Sequence, residues 1–208
     1  MRNFMTKLKN FVRDSSGASV AVEAIVIIPV VLWALAAMGV YFDVLRTNST
    51  AEKASYTIGD MLSRETNAIT NDYLNNTRTL YETLLGTGYS STTEVDPETG
   101  EETVFVTANA ETDFSSVRVS VITWHEDEST YVLNWSQTRG PQYGALSTGD
   151  LTDIALALPK MADQDTIILV ETHMTYEPVL NVGLGDQEIE TFTFTRPRYA
   201  PQLVYEAS

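Results

Sequence analysis

Between Gly17 and Phe42 the chain is apolar almost without interruption, and from Ala24 to Phe42 it carries no charged side chain. A helix rising about 1.5 Å per residue over Val20–Phe42 would be roughly 35 Å long, enough to cross a bilayer core. Beyond Asp43 the pattern changes to apolar positions at three-and-four spacing, Ala51, Ala54, Ile58 and Met61. This predicts that the helix continues past the apolar run to about Arg64. Thr70-Asn71-Asp72 offers N-cap chemistry for a second helix carrying Tyr73, Leu80, Tyr81, Leu84 and Leu85, with Gly86 as its stop.

After Gly86 the period becomes two. Residues 87–103 are polar and turn-rich, and Asp96-Pro97-Glu98-Thr99-Gly100 reads as a turn between two short strands, the second being Val104–Ala108. Val117, Val119 and Val121 alternate with Arg118 and Ser120. Tyr131, Leu133 and Trp135 alternate with Val132, Asn134 and Ser136, and His125-Glu126-Asp127-Glu128 makes a charged hairpin tip between the two. A Gly-rich loop over Thr138–Gly149 leads to a short helix, Asp150–Leu158, ended by Pro159. Thr166–Tyr176 and Glu190–Thr195, rich in β-branched and aromatic residues, complete the strands. The expected class is α+β, a long N-terminal helix followed by an antiparallel sheet with short helices. The expected organisation is a basic leader over 1–17, a transmembrane helix over 18–42, a helical stalk over 43–86 and a sheet domain over 87–208.

Charge sharpens this division. The formal net charge is −15. Arg2, Lys7, Lys9 and Arg13 outweigh Asp14 and Glu23 by two, which leaves the rest of the chain with 17 net negative charges. A cationic flank before the span predicts a cytoplasmic N-terminus and an external C-terminal domain. Phe4, Leu8, Phe11 and Val12 fall at helical spacing among the basic residues, as in a short helix on an anionic membrane surface. A secretory signal peptide cleaved after Ala34-Leu35-Ala36 is the rival, with an unusually long basic region. An acidic domain repels phosphates and argues against nucleic acid as a partner. The absence of cysteine excludes a disulfide framework and thiolate metal sites.

Two residues are odd for a plain anchor: Glu23 puts a carboxylate inside the apolar region, and Pro29 removes a backbone donor and is expected to kink the transmembrane helix. The segment Val22-Glu23-Ala24-Ile25-Val26-Ile27-Ile28-Pro29 resembles the N-terminal signature of TadE-like proteins, pseudopilins of the tight-adherence (Flp) pilus system. In that family a glycine ends a basic leader, a glutamate follows about five residues on, and a proline lies six past the glutamate. Here Glu23 is the sixth residue after Gly17, and Ala24 stands where an aromatic is usual. Leu156-Ala157-Leu158-Pro159, then Ile167–Glu171 and Tyr176-Glu177-Pro178, and finally Phe192, Phe194 and Arg196-Pro197-Arg198, are similar to the family's C-terminal half. The resemblance implies an inner-membrane, single-pass minor pseudopilin or membrane-anchored assembly factor with a periplasmic domain. It further implies processing by a prepilin peptidase between Gly17 and Ala18, and pairing of Glu23 with the new amine of a neighbouring subunit. Its partners would be other pilins and the pilus assembly platform. An uncleaved bitopic scaffold and a one-span periplasmic binding or sensor domain are the alternatives.

Catalytic chemistry is sparse. His173 shares a strand face with Glu171, but two ligands without a third suggest a structural histidine rather than a metal or acid–base pair. His125 is expected to be solvated among carboxylates. Asp96, Glu98, Glu101 and Glu102 lack the alternating ligand spacing of a calcium loop. There is no phosphate-binding Gly-x-x-x-x-Gly-Lys and no Gly-x-Ser-x-Gly elbow, and Gly86-Thr87-Gly88 is not extended into a dinucleotide loop. Asp113-Phe114-Ser115-Ser116-Val117 fails an Asp-x-Ser-x-Ser metal motif at its last position. No enzyme, cofactor or metal is expected.

Overall fold

The computed structural model describes residues 15–86, 89–95, 102–108 and 114–207. The fold is α+β. Helix α1 runs unbroken over Ser15–Ser63, and α2 over Asn71–Leu85. The sequence places both ends of α2. The Thr70 hydroxyl accepts from the Tyr73 amide at 3.2 Å, and Gly86 closes the helix in the left-handed region at φ 78°.

Strands β1 (Tyr89–Val95) and β2 (Glu102–Ala108) pair antiparallel as a separate hairpin. The Asp96–Gly100 turn, with Asp96, Glu98 and Glu101 of the acidic cluster, lies outside the described residues. The main sheet holds β3 (Ser115–His125), β4 (Thr130–Arg139), β5 (Thr166–Tyr176) and β6 (Gln187–Thr195) in the order β4-β3-β5-β6, antiparallel throughout.

By contacts the chain divides into two compact units. One joins the helix up to Leu45 with residues 178–185, and the other holds residues 46–177 and 186–208. In the second unit the later half of α1 offers Ala54, Ile58 and Leu62, and α2 offers Leu74 and Tyr81, to one face of the sheet. That face is built from Val117, Val119, Val121, Ile168 and Val170. Ala51 packs with Met174 and Ile189. The small residues in α1 let it come close: Ser55 Oγ donates to Thr193 Oγ1 at 3.1 Å. The opposite face gathers Ile122, Ile167 and Leu169 with Leu146, Leu151 and Leu158 from the 140–161 connection. Covered on both sides, β3 and β5 are almost wholly buried.

The structure departs from the sequence reading at several points. Tyr131, Leu133 and Trp135 do not share a face. Val121 pairs with Trp135 but Ile122 pairs with Leu133, so Asn134 is bulged out. The bulge turns Trp135 toward the helices and Leu133 and Tyr131 toward the other core. The helix expected over Asp150–Leu158 is one turn, α3 (Leu151–Ile154). The Ala157 amide bonds to the Ile154 carbonyl, an i→i−3 turn that breaks the α pattern and seats Leu158 in the core. The second and the last strands begin earlier than expected, at Glu102 and Gln187.

Candidate functional site: an uncovered helix and a polar sheet face

Large apolar side chains cover α1 from Ile25 to Phe42 and almost none is buried. Ile25 is 71 % exposed and Leu32 60 %, and Val26, Ile27, Ile28, Val30, Val31, Trp33, Leu35 and Met38 are exposed as well. Ile25 to Ile28 point outward at about 100° intervals, so the apolar surface encircles the helix instead of forming a stripe. Water is a poor solvent for such a cylinder. The helix is long and apolar enough to cross a membrane.

Gly17 and Ala18 lie within α1, which starts at Ser15. Glu23 is exposed on the helix surface, two residues before the bare apolar region opens at Ile25. Pro29 sits inside the helix without ending it; its missing N–H leaves the Ile25 carbonyl without the usual helical donor.

On the sheet, Glu171 and His173 share a face, and each is engaged by a different side chain. Arg118 grips Glu171 with two hydrogen bonds of 2.6 Å, from Nε and Nη2. The same guanidinium donates to the Gly144 carbonyl at 3.0 Å and lies 4.6 Å from the centre of the Tyr143 ring. Tyr143 meets His173 edge-on, with ring centres 6.0 Å apart. Burial raises the Tyr143 hydroxyl well above the usual phenol range, and the negative charges of Glu190 and Glu171 add to the effect. His173 Nε2 contacts the Glu188 carboxylate across the β5–β6 pair, while Nδ1 is buried without a partner. These contacts hold the 140–146 connection against the sheet. Arg118 and Tyr143 were not read as a pair from sequence, since nothing in the spacing of a strand residue and a loop residue signals their stacking.

His125 is not simply solvated at a hairpin tip. It ends β3, where its Nδ1 lies 3.2 Å from Gln164 Nε2, beside an open groove of about 640 Å³. Thr123, Asn134 and Gln202 also line the groove. The serines of the failed Asp-x-Ser-x-Ser motif are structural: Ser115 Oγ donates to buried Glu82 at 2.6 Å, and Ser116 Oγ accepts from the Gln142 amide at 2.9 Å. Among the described residues no group of three His, Asp or Glu side chains is arranged to hold a metal ion.

No protein-family model, curated protein or solved structure matches this chain. What it offers is therefore a fold and a surface: an α+β protein with one helix long and apolar enough to cross a membrane, followed by an antiparallel sheet.

Proposed function

We propose that the chain is a minor pseudopilin or membrane-anchored assembly factor of a tight-adherence pilus, held in the bacterial inner membrane by α1 with its sheet domain in the periplasm. The observation that carries the reading is the bare apolar cylinder over Ile25–Phe42 with Glu23 exposed at its start. An unpaired carboxylate facing lipid is costly, on the order of 2.5–3.5 kcal/mol at mid-bilayer and less near an end. An ammonium group from an adjoining helix offsets that cost, so Glu23 would select a neighbour. The reading assigns the chain no catalytic step.

A second reading, an uncleaved scaffold of the same machine, is favoured by the position of Gly17 inside a helix. A peptidase must unwind a helical segment before it can hold the scissile bond. Both readings are tested by one pair of measurements in cells with an active prepilin peptidase. In the first reading Glu23→Leu inserts and folds but does not join the assembly, and the mature protein begins at Ala18. An intact leader on the wild-type protein decides for the scaffold. Normal assembly of Glu23→Leu overturns the charge-pairing role.

A further inference from the structure

Residues 178–185, Pro-Val-Leu-Asn-Val-Gly-Leu-Gly, connect β5 to β6 without a single charged side chain. Acidic residues bracket the stretch, Glu177 before it and Asp186 after it. In a chain of net charge −15, a neutral apolar loop exposed to water is out of place. Val179 is 87 % exposed and Leu180 53 %. The loop also groups by contacts with the first part of α1, not with the strands it connects. Val40, 7 % exposed, and Val182, 9 % exposed, are the buried apolar side chains of that unit among the described residues. Val40 stands near the C-terminal end of the bare apolar region.

We infer that this loop is a second membrane-contacting element, with Val179 and Leu180 seated in the lipid interface beside the end of the α1 span. The inference rests on α1 crossing the membrane. Lipid is the favoured occupant, because the loop falls in the same compact unit as the uncovered apolar helix. Its backbone is also prepared for a poorly hydrating environment. The Val182 amide donates to the Leu180 carbonyl at 3.0 Å, and the Gly183 amide donates to the Asn181 side chain at 3.2 Å. Each internal bond removes a polar group that would otherwise lose water on insertion. Gly183, at φ 96°, supplies the left-handed residue the turn requires.

The chain has no cysteine, so single cysteines can be introduced and labelled without background. Full-length Val179→Cys and Leu180→Cys, with Leu32→Cys as the mid-span control and Glu126→Cys as the aqueous control, would carry a nitroxide spin label. They would be reconstituted into vesicles of phosphatidylethanolamine and phosphatidylglycerol. Collision rates with oxygen and with a water-soluble nickel chelate then report depth. The expected result is an oxygen-to-nickel accessibility ratio at 179 and 180 several-fold above that at 126 and below that at 32. Ratios at 179 and 180 equal to that at 126, with 32 in lipid, overturn the loop's role and leave the span intact. An aqueous label at 32 overturns the membrane reading and the inference with it. If a second protein copy covers the loop instead, both collision partners are excluded at 179 and 180, which also overturns lipid as the occupant.

Discussion

Gly140 passes against the backbone of Ser115 so closely that there is no room for a side chain. A Cβ added at Gly140 would overlap the Ser115 carbonyl oxygen and lie 2.8 Å from Ser116 Cα. Its φ of 99° is one that L residues rarely adopt.

Gly140→Ala should therefore destabilise the domain by more than the roughly 1 kcal/mol that a lost glycine conformation alone costs. Gly86→Ala is the control. That residue is also left-handed but meets nothing within 4 Å, so its cost should stay near that lower figure. Urea denaturation monitored by circular dichroism checks both. Equal midpoints would mean that the β3 backbone moves aside.

The Arg118–Glu171 fork makes a second test. Its side chains are 15 % and 10 % exposed, so deleting one strands the other charge. Glu171→Ala should lose about 3–5 kcal/mol, a large share of a typical total of about 5–15. Replacing both residues with apolar ones of similar volume should recover much of that loss. A double variant as unstable as Glu171→Ala would show that the 140–146 connection, and not the stranded charge, is what fails.

Tyr81 sets a third expectation. Its hydroxyl is raised from 10.0 to about 12 by burial, with the hydrogen bond from Thr172 at 3.0 Å acting in the opposite direction. The unfolded chain releases this proton first, so stability is intact below about pH 10 and falls as pH rises toward 12. Tyr73 and Tyr143, shifted upward mainly by burial, act in the same sense. Tyr81→Phe should make the decline shallower while leaving part of it. A decline of unchanged steepness would show that Tyr81 does not contribute to it.

Deleting Asn134 gives a fourth. The deletion places Leu133 directly before Trp135, so the two keep opposite faces and the Val121–Trp135 and Ile122–Leu133 pairs become a regular ladder. What is lost is the Asn134 side chain, which donates to Thr123 Oγ1 at 2.9 Å. The deletion variant should therefore still unfold cooperatively on heating, with a midpoint within a few degrees of that of Asn134→Ala. Loss of cooperative unfolding in the deletion variant alone would show that the bend the bulge gives β4 is itself required.

That bulge also marks where sequence reading stops. Alternation gave the extent of β3, and capping chemistry gave both ends of α2, because these depend on neighbours in the chain. The continuation of α1 beyond the apolar run to Ser63 was legible for the same reason. Alternation could not reveal that one extra residue at Asn134 divides Trp135 from Leu133, since HPHPH reads the same with or without a bulge. Nor could it pair Arg118 with Glu171, which lie 53 residues apart and meet only through the β3–β5 register. The one-turn α3 was overestimated because Leu151 and Leu158 suit a helix face equally well. Of the candidate site, the apolar span was plain from composition, while the neutral 178–185 loop carries too few residues to form a pattern.

The Ser55–Thr193 hydrogen bond joins residues 138 positions apart, and this separation has a consequence for biogenesis. At about 5–20 residues per second, on the order of ten seconds of synthesis separates the two partners. Throughout that interval the apolar stripe Ala51, Ala54, Ile58 and Leu62 exists without the sheet that covers it. A nascent chain with such a stripe next to a lipid-seeking segment can be drawn too far into the bilayer or captured by another chain. Glu52, Lys53, Asp60 and Arg64, interleaved with the stripe, keep one side of the waiting helix wet until the last strand arrives.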